Sequence, residues 1–124
     1  MRYSDFMDDK FFDNWINQVR KGMLELFILN DIRNRKMYGY EIAQRLCKIE
    51  GLIIGKGVIY AILRRLRQRG LVENFMQDSP EGPIRKYYKL TEKGKGLTNQ
   101  MNAYWNAIRS QVDSIQRGKK RRKT

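Results

Sequence analysis

The sequence predicts a mainly α-helical fold with one small β-hairpin, and three patterns lead to this prediction. Between Gly55 and Val72 the apolar residues recur at intervals of three and four, as on one face of an α-helix. Residues 71–76 and 85–90 read as strands and flank a turn segment that contains two prolines and a glycine. Residues 92–115 continue at helical spacing and predict a long last helix.

A first helix is predicted to begin at Asn14, where apolar residues start to recur close to helical spacing. Residues 1–13 before it form a separate acidic arm in this interpretation. Gly22 inside the helix disfavours helical structure by about 1 kcal/mol relative to alanine. We therefore expect the regular part of the helix to start later than its apolar pattern does.

A second helix is predicted to open at residues 38–40 (YGY) and to end at Gly51. Residues 52–54 are a short β-branched run and predict a brief strand. Because this connection is short, the second and third helices are expected to cross at a large angle, as in a helix-turn-helix. The residues expected on the buried side of the second helix are Ile42, Ala43, Leu46, Cys47 and Ile49.

The third helix has one apolar stripe and an otherwise basic surface. The stripe consists of Ile59, Ile62, Leu63 and Leu66, and Gly70 after it suits a left-handed C-cap. The polar surface carries Lys56, Tyr60, Arg64, Arg65, Arg67 and Arg69. A solvated basic face on an ordinary core helix is one interpretation, and a DNA-recognition helix is the other.

The last helix has Thr91 as its predicted N-cap and carries a nearly heptad apolar seam. So small a domain has little core left for a helix of this length to cover. The seam therefore predicts burial against a second subunit, with packing on the first helix as the alternative. Its residues are Leu97, Met101, Tyr104, Trp105, Ile108, Val112 and Ile115.

The chain of 124 residues has a formal net charge of +13, which attracts polyanions such as nucleic acid or an anionic membrane surface. The charge is uneven, since residues 1–13 hold four aspartates against two basic residues. The tail, residues 117–124, holds six basic residues and no acidic one. We expect the tail to be disordered. It either adds nonspecific phosphate contacts or serves only to keep the protein soluble.

Composition argues against an enzyme. The chain has no histidine, which removes the usual general base at neutral pH and the commonest metal ligand. Its carboxylates are scattered and it has no glycine-rich phosphate loop, so we expect no catalytic site, metal or cofactor. The single cysteine, Cys47, is predicted to be a buried small hydrophobe. Together with the lack of a secretory or membrane-spanning apolar run, it indicates a cytoplasmic protein.

Three helices, a two-stranded hairpin and a basic third helix are the parts of a winged helix-turn-helix domain, here residues 14–91, followed by a dimerisation helix at 92–116. In such a domain the third helix lies in the major groove, and its first residues reach base edges. We expect Gly57 to let the backbone approach the duplex and Arg64 to contact a guanine. Lys56 and Tyr60 suit either bases or phosphates.

The hairpin completes this architecture as its wing. Arg85 and Lys86 are expected on the DNA backbone or in the minor groove. Two rival functions stay open at this point. The first is an architectural or plasmid-maintenance DNA-binding protein without an effector. The second is an RNA-binding protein, which the position of the tyrosines in a helix-turn-helix layout disfavours.

Motifs at residues 37–42 (MYGYEI), 57–66 (GVIYAILRRL) and 82–94 (GPIRKYYKLTEKG) follow one another along the chain. Together they resemble the PadR family of bacterial winged-helix transcriptional regulators, over about residues 15–115. The combination is specific, whereas each motif alone is weak. Val58-Ile59 and Ala61 depart from the family's usual threonine and proline around the tyrosine of the recognition helix, which affects the base contacts and not the fold.

The resemblance implies a homodimer through the last helix that binds double-stranded DNA at a roughly palindromic operator, usually as a repressor. Some short family members bind flat aromatic drugs at the dimer interface. This similarity suggests a ligand site at Trp105, with Trp15 and Met101 nearby, although packing at the seam is the alternative. The predicted DNA contacts are Tyr38, Tyr40, Lys56, Gly57, Tyr60, Arg64, Arg65, Arg85 and Lys86.

Overall fold

The computed structural model describes residues 9–52, 54–80 and 82–118, which form four helices and one three-stranded sheet. The helices are α1 (Asp9–Asp31), α2 (Gly39–Cys47), α3 (Lys56–Gln68) and α4 (Glu92–Gln116). The strands β1 (Met37–Tyr38), β2 (Val72–Ser79) and β3 (Gly82–Leu90) pair antiparallel in the order β1-β3-β2. The predicted mainly α-helical fold with a small hairpin is confirmed.

The core lies where α1, α2 and α3 meet one face of the sheet. The predicted stripe of α3 is buried, with none of its four side chains more than 5% exposed. Other buried side chains come from the end of α1, from β1 and from α2: Ile28, Leu29, Ile32, Met37, Ile42, Ala43 and Leu46. Burial of one side of α3 leaves its opposite, basic side at the surface.

The first helix starts earlier than its apolar pattern predicts, at Asp9 instead of Asn14. It also continues without interruption through Gly22, where an added side chain would meet no neighbour within 4 Å. The expectation of a late start was therefore wrong, because the apolar pattern marks only the part of a helix that packs on the core. Residues 1–8 of the predicted acidic arm lie outside the described residues.

The second helix ends earlier than predicted, and the expectations of a buried Cys47 and of a strand at residues 52–54 were wrong. Its last residue is Cys47, and Gly51 lies in the following turn with a φ of 84°. Cys47 is exposed, because the helix ends just after the buried Leu46 and turns the next position toward solvent. Its Sγ donates a hydrogen bond to the Ile54 carbonyl at 3.4 Å. Leu52 lies in a turn, so the predicted strand at 52–54 is absent from the described part of that segment.

The hairpin is longer than predicted, and a third strand pairs with it to form the sheet. Strands β2 and β3 extend to Ser79 and Gly82, with an irregularity in the register at Asp78 and Ser79. In the additional strand β1, Met37 pairs with Tyr88 in antiparallel register. Two residues are too few to show a strand alternation in the sequence, and β1 exists only because β3 offers it a pairing edge. It ties the start of α2 to the base of the hairpin.

The start of α4 is joined by hydrogen bonds to the turn between α3 and β2. We call this set of hydrogen-bonded residues (70–71, 91, 94 and 98) the α4 clamp. The Thr91 side-chain oxygen accepts from the Gly94 N–H at 3.0 Å and donates to the Gly70 carbonyl at 2.7 Å. The Thr91 N–H donates to the Leu71 carbonyl at 3.1 Å. Buried Thr98 donates to the Gly94 carbonyl at 2.7 Å. The predicted N-cap at Thr91 and the left-handed Gly70, with a φ of 74°, are both confirmed.

Helix α4 packs on α1 along its first half only. Asn30 and Asn102 exchange two side-chain hydrogen bonds of 2.8 Å between these helices. Farther along α4, Val112 and Ile115 are 56% and 66% exposed, so packing on the first helix covers only part of the seam within one chain. Among the described residues, no helix combines the length and the apolar character needed to span a membrane.

Candidate nucleic-acid interface

The exposed face of α3 lies opposite its buried stripe. Gly57, Ala61, Arg64 and Gln68 follow one another at intervals of four, three and four and are all exposed, as the helical period requires. Arg64 lies in the middle of this face and forms no hydrogen bond or ion pair within the described residues. Its guanidinium is therefore available to an external partner with paired acceptors.

The first turn of α3 can approach another molecule closely. Gly55 is its N-cap, and Gly57 lies in its first turn. At both glycines an added side chain would meet nothing within 4 Å, so the packing of this chain does not require them. The first N–H groups of a helix lack partners within the helix and carry its positive dipole end. This end of α3 therefore suits an anionic group such as a phosphate.

Side chains from α2, α3 and the hairpin surround a surface pocket of about 360 Å³, which we call the tyrosine pocket. The structure thus brings together five of the residues predicted as DNA contacts, which are up to 48 positions apart in the sequence. The lining residues are Tyr38, Gly39, Tyr40, Tyr60, Arg85, Lys86 and Tyr88.

Two cations are held over the rings at the edge of the tyrosine pocket. The Lys56 ammonium lies 4.9 Å from the centre of the Tyr40 ring, and the Arg85 guanidinium lies 4.6 Å from that of Tyr38. The Tyr40 hydroxyl accepts a 2.6 Å hydrogen bond from Gln44. These contacts restrict long, flexible side chains, which lowers the entropy lost when the cations bind an anion.

Tyr88 forms the buried side of the tyrosine pocket. Burial raises its pKa above the ordinary value of 10.0, and the nearby Tyr60 raises it further, while Arg67 and a hydrogen bond with Asn74 oppose the shift. Tyr88 is therefore a neutral phenol at neutral pH. It serves as a fixed wall of the pocket and adds no negative charge beside the cations.

Arg65, also predicted as a DNA contact, lies apart from this pocket. Its guanidinium forms an ion pair with Glu25 of α1, with a nitrogen–oxygen distance of 3.2 Å. Because Arg64 and Arg65 are one position apart on a helix, they extend from different sides of it. The structure therefore groups Arg64 with Gly57 and Ala61, and joins Arg65 to α1.

The wing carries an apolar tip that the sequence analysis did not single out. Met76 pairs with Lys86 and Asp78 pairs with Ile84, which puts these side chains on the face of the sheet that carries buried Tyr88. Met76 and Ile84 are 61% and 59% exposed. The sequence does indicate that these side chains share a face, because Ile84, Lys86 and Tyr88 follow one another at intervals of two along β3.

Lys36 is a second feature that could not be singled out from the sequence. Its ammonium donates to the Gln77 side-chain oxygen at 2.7 Å and lies 5.8 Å from the ring centres of Phe75 and Tyr87. It therefore adds a positive charge to the outer face of the sheet at the base of the wing. Only the pairing of β1 with β3 brings it there.

The predicted ligand residues divide between two grooves. Met101 and Trp105 line a groove of about 480 Å³ between α1 and α4. Trp15 lies in a neighbouring groove of about 230 Å³, where its ring stacks on Phe12 with 6.3 Å between centroids. Val19 and Met23 of α1 line both grooves. No cluster of three or more acidic or cysteine side chains that suits a metal ion occurs in the described ranges.

Comparisons with known proteins agree with this geometry. Residues 28–100 match the family model described as the transcriptional regulator PadR-like family. An uncharacterized protein from Lysinibacillus sphaericus is 28% identical over 104 residues, covering 82% of this chain and 95% of its own.

Two solved structures resemble the chain over most of their length. One is a PadR-like transcriptional regulator from Bacillus cereus, with 34% identity and a TM-score of 0.74, covering 79% of this chain and 95% of its own. The other is a PadR-like transcription factor from Bacteroides fragilis, with 36% identity and a TM-score of 0.65, covering 82% and 98%. The family match over residues 28–100 spans α2, α3 and the hairpin, which form the candidate interface.

Proposed function

Because this chain belongs to the PadR-like family of transcriptional regulators, we propose that it binds a specific double-stranded DNA operator as a homodimer and represses transcription there. The observation that carries the proposal is the juxtaposition of Arg64 on the exposed face of α3 with the cationic tyrosine pocket beside it. One surface then offers a side chain for base edges and several groups for phosphates. Specific DNA recognition requires both kinds of contact.

In this proposal α3 enters the major groove with its first turns foremost. Arg64 reads a guanine, while Gly57 lets the helix backbone lie close to the duplex. Lys56, Tyr40 and Tyr38 bind the phosphates beside the groove. The wing follows the DNA backbone into the adjacent minor groove through Arg85 and Lys86.

The proposed dimer forms through the exposed part of the α4 seam. Tyr104, Ile108, Val112 and Ile115 are each more than 40% exposed within one chain, which is unfavourable for a long apolar stripe in water. A two-fold axis through such a seam gives two copies of α3 and hence a palindromic operator. Repression follows when the bound dimer covers promoter DNA that RNA polymerase must contact.

Arg64→Ala is expected to weaken binding to the preferred duplex by about 10- to 100-fold and binding to random duplex much less, because one bidentate base contact discriminates by roughly 1–3 kcal/mol. Arg85→Ala removes the same charge but is expected to weaken both duplexes alike and to lower the salt slope by about one. Fluorescence anisotropy titrations against both duplexes measure these ratios. Unchanged specificity in Arg64→Ala would refute the assigned position of α3.

The architectural alternative is tested in the same titrations with the wild-type protein. Segments of its own promoter region and random duplex are compared at two salt concentrations. Saturable binding to one segment that persists at the higher salt supports an operator-specific regulator. Equal binding that decreases together as salt rises supports a DNA-coating protein, since counterion release alone then drives association.

The proposal includes release from DNA by a small, flat aromatic ligand in the α1–α4 groove. The support is the groove of about 480 Å³ with Met101 and Trp105 in its wall. A planar aromatic dye that binds there is expected to quench tryptophan fluorescence in the wild type and in Trp15→Phe, but not in Trp105→Phe. Equal quenching in both variants would argue against this groove, and quenching without loss of DNA affinity would argue against an effector.

A further inference from the structure

Gly39, the first residue of α2, is in contact with the tyrosine of the recognition helix. An added side chain at Gly39 would have its Cβ 2.5 Å from Tyr60 Cε1 and 3.2 Å from both the Tyr60 ring carbon Cζ and the hydroxyl oxygen. Gly39 is itself buried. The ring of Tyr60 thus occupies the space that any side chain at position 39 would need.

The backbone conformation does not account for a glycine at this position. The described glycines with positive φ are Gly51, Gly70 and Gly118, and Gly39 is not among them. In an ordinary helical conformation, alanine is favoured over glycine by about 1 kcal/mol. The glycine at position 39 is therefore explained by its contact with Tyr60.

The Tyr60 ring is packed against the protein on one side and exposed to solvent on the other. One side of its ring lies against Gly39, and Tyr88 is close enough to interact with it electrostatically. Its side chain nevertheless remains 41% exposed. On α3 it lies four positions after Lys56 and four before Arg64, so these three side chains follow one another along one side of the helix.

We propose that Gly39 is a positioning residue for DNA recognition, which acts by letting the hydroxyl-bearing edge of the Tyr60 ring lie against the first turn of α2. The inference rests on the proposed function, because it assumes that the surface around Tyr60 binds DNA. A methyl group at position 39 displaces the ring outward from the tyrosine pocket. The displaced ring then obstructs the close approach of α3 to the duplex.

The test compares Gly39→Ala with Gly96→Ala, a matched control in α4 where an added Cβ would meet nothing within 4 Å. The DNA probe is the duplex that the wild-type protein enriches most from a random-sequence pool. We expect Gly39→Ala to bind this duplex about tenfold more weakly, the loss that corresponds to one good contact, and Gly96→Ala to bind it like the wild type. Thermal unfolding at one protein concentration checks that both variants stay folded.

A double-mutant cycle separates positioning from a general structural effect. In the Tyr60→Ala background there is no ring to displace, so Gly39→Ala is expected to change affinity less than twofold. The NMR signals of the Tyr60 ring provide a second readout in the free protein. They are expected to shift in Gly39→Ala and to stay in place in Gly96→Ala.

The outcomes distinguish this inference from the proposed function. If the wild type enriches a duplex but Gly39→Ala binds it equally well, the inference alone fails. It fails also if Gly39→Ala weakens binding by the same factor with and without the Tyr60 ring. If the wild type enriches no duplex, the proposed function fails, and the recognition role of Gly39 fails with it even when the ring signals move.

Discussion

Replacing Gly94 with alanine is expected to lower the free energy of unfolding by on the order of 3 kcal/mol, because the added methyl group has no space. Its Cβ would lie 2.9 Å from the Leu71 carbonyl carbon and closer still to the carbonyl oxygen. That carbonyl accepts the hydrogen bond from the Thr91 N–H, so it cannot move aside without breaking the α4 clamp. Urea unfolding followed by circular dichroism at one protein concentration measures the change.

Gly96→Ala is the matched control for this prediction. It places the same methyl group in the same helix, but in open space. We expect it to stabilise the protein by roughly 0.5–1 kcal/mol, since alanine is the better helix former. Equal unfolding midpoints for the two variants would contradict the tight packing of α4 on the α3–β2 turn.

Ile108→Glu is expected to convert the proposed dimer into a monomer and to reduce operator affinity on the order of 100-fold. Ile108 is 41% exposed in one chain and lies in the middle of the exposed seam of α4. A carboxylate at that position would be buried in the dimer without a partner, which strongly disfavours association. A monomer binds one half-site and loses the benefit of the second, linked contact.

Ser110→Glu adds the same charge to α4 two positions away, which is close to the opposite side of the helix. This exposed position is expected to tolerate it, with dimerisation and DNA affinity unchanged. Light scattering combined with size-exclusion chromatography measures the oligomeric state. A monomeric wild type, or a dimeric Ile108→Glu, would refute the assigned interface.

The features predicted correctly from the sequence depend on residues that are near one another in the chain. The buried stripe of α3, the N-cap Thr91 and the left-handed Gly70 each follow from a spacing or a preference within one or two helical turns. The same holds for the two long strands of the hairpin. Their ends were less accurate, because the turn residues also allow strand pairing to continue toward the tip.

The features that were missed depend on contacts between distant parts of the chain. Strand β1 requires the edge of β3, and the exposure of Cys47 follows from where tertiary packing ends α2. Gly39 and Gly94 look like ordinary glycines in the sequence, yet their neighbours Tyr60 and Leu71 lie 21 and 23 positions away. The candidate site was predicted as separate motifs, and its arrangement around the tyrosine pocket required the structure.

The α4 clamp also bears on the spacing of the DNA half-sites that the proposed dimer could bind. Its hydrogen bonds join the turn after the recognition helix α3 to the start of α4, the helix that carries the proposed dimer interface. We therefore expect α3 and α4 to move together as one rigid body. In the proposed two-fold dimer, the distance between the two recognition helices is then fixed by the angle and the position at which the two α4 helices cross. That geometry is established during folding, so less conformational freedom is lost on the operator. We therefore expect the proposed dimer to bind poorly to an operator whose half-sites are moved even one base pair apart.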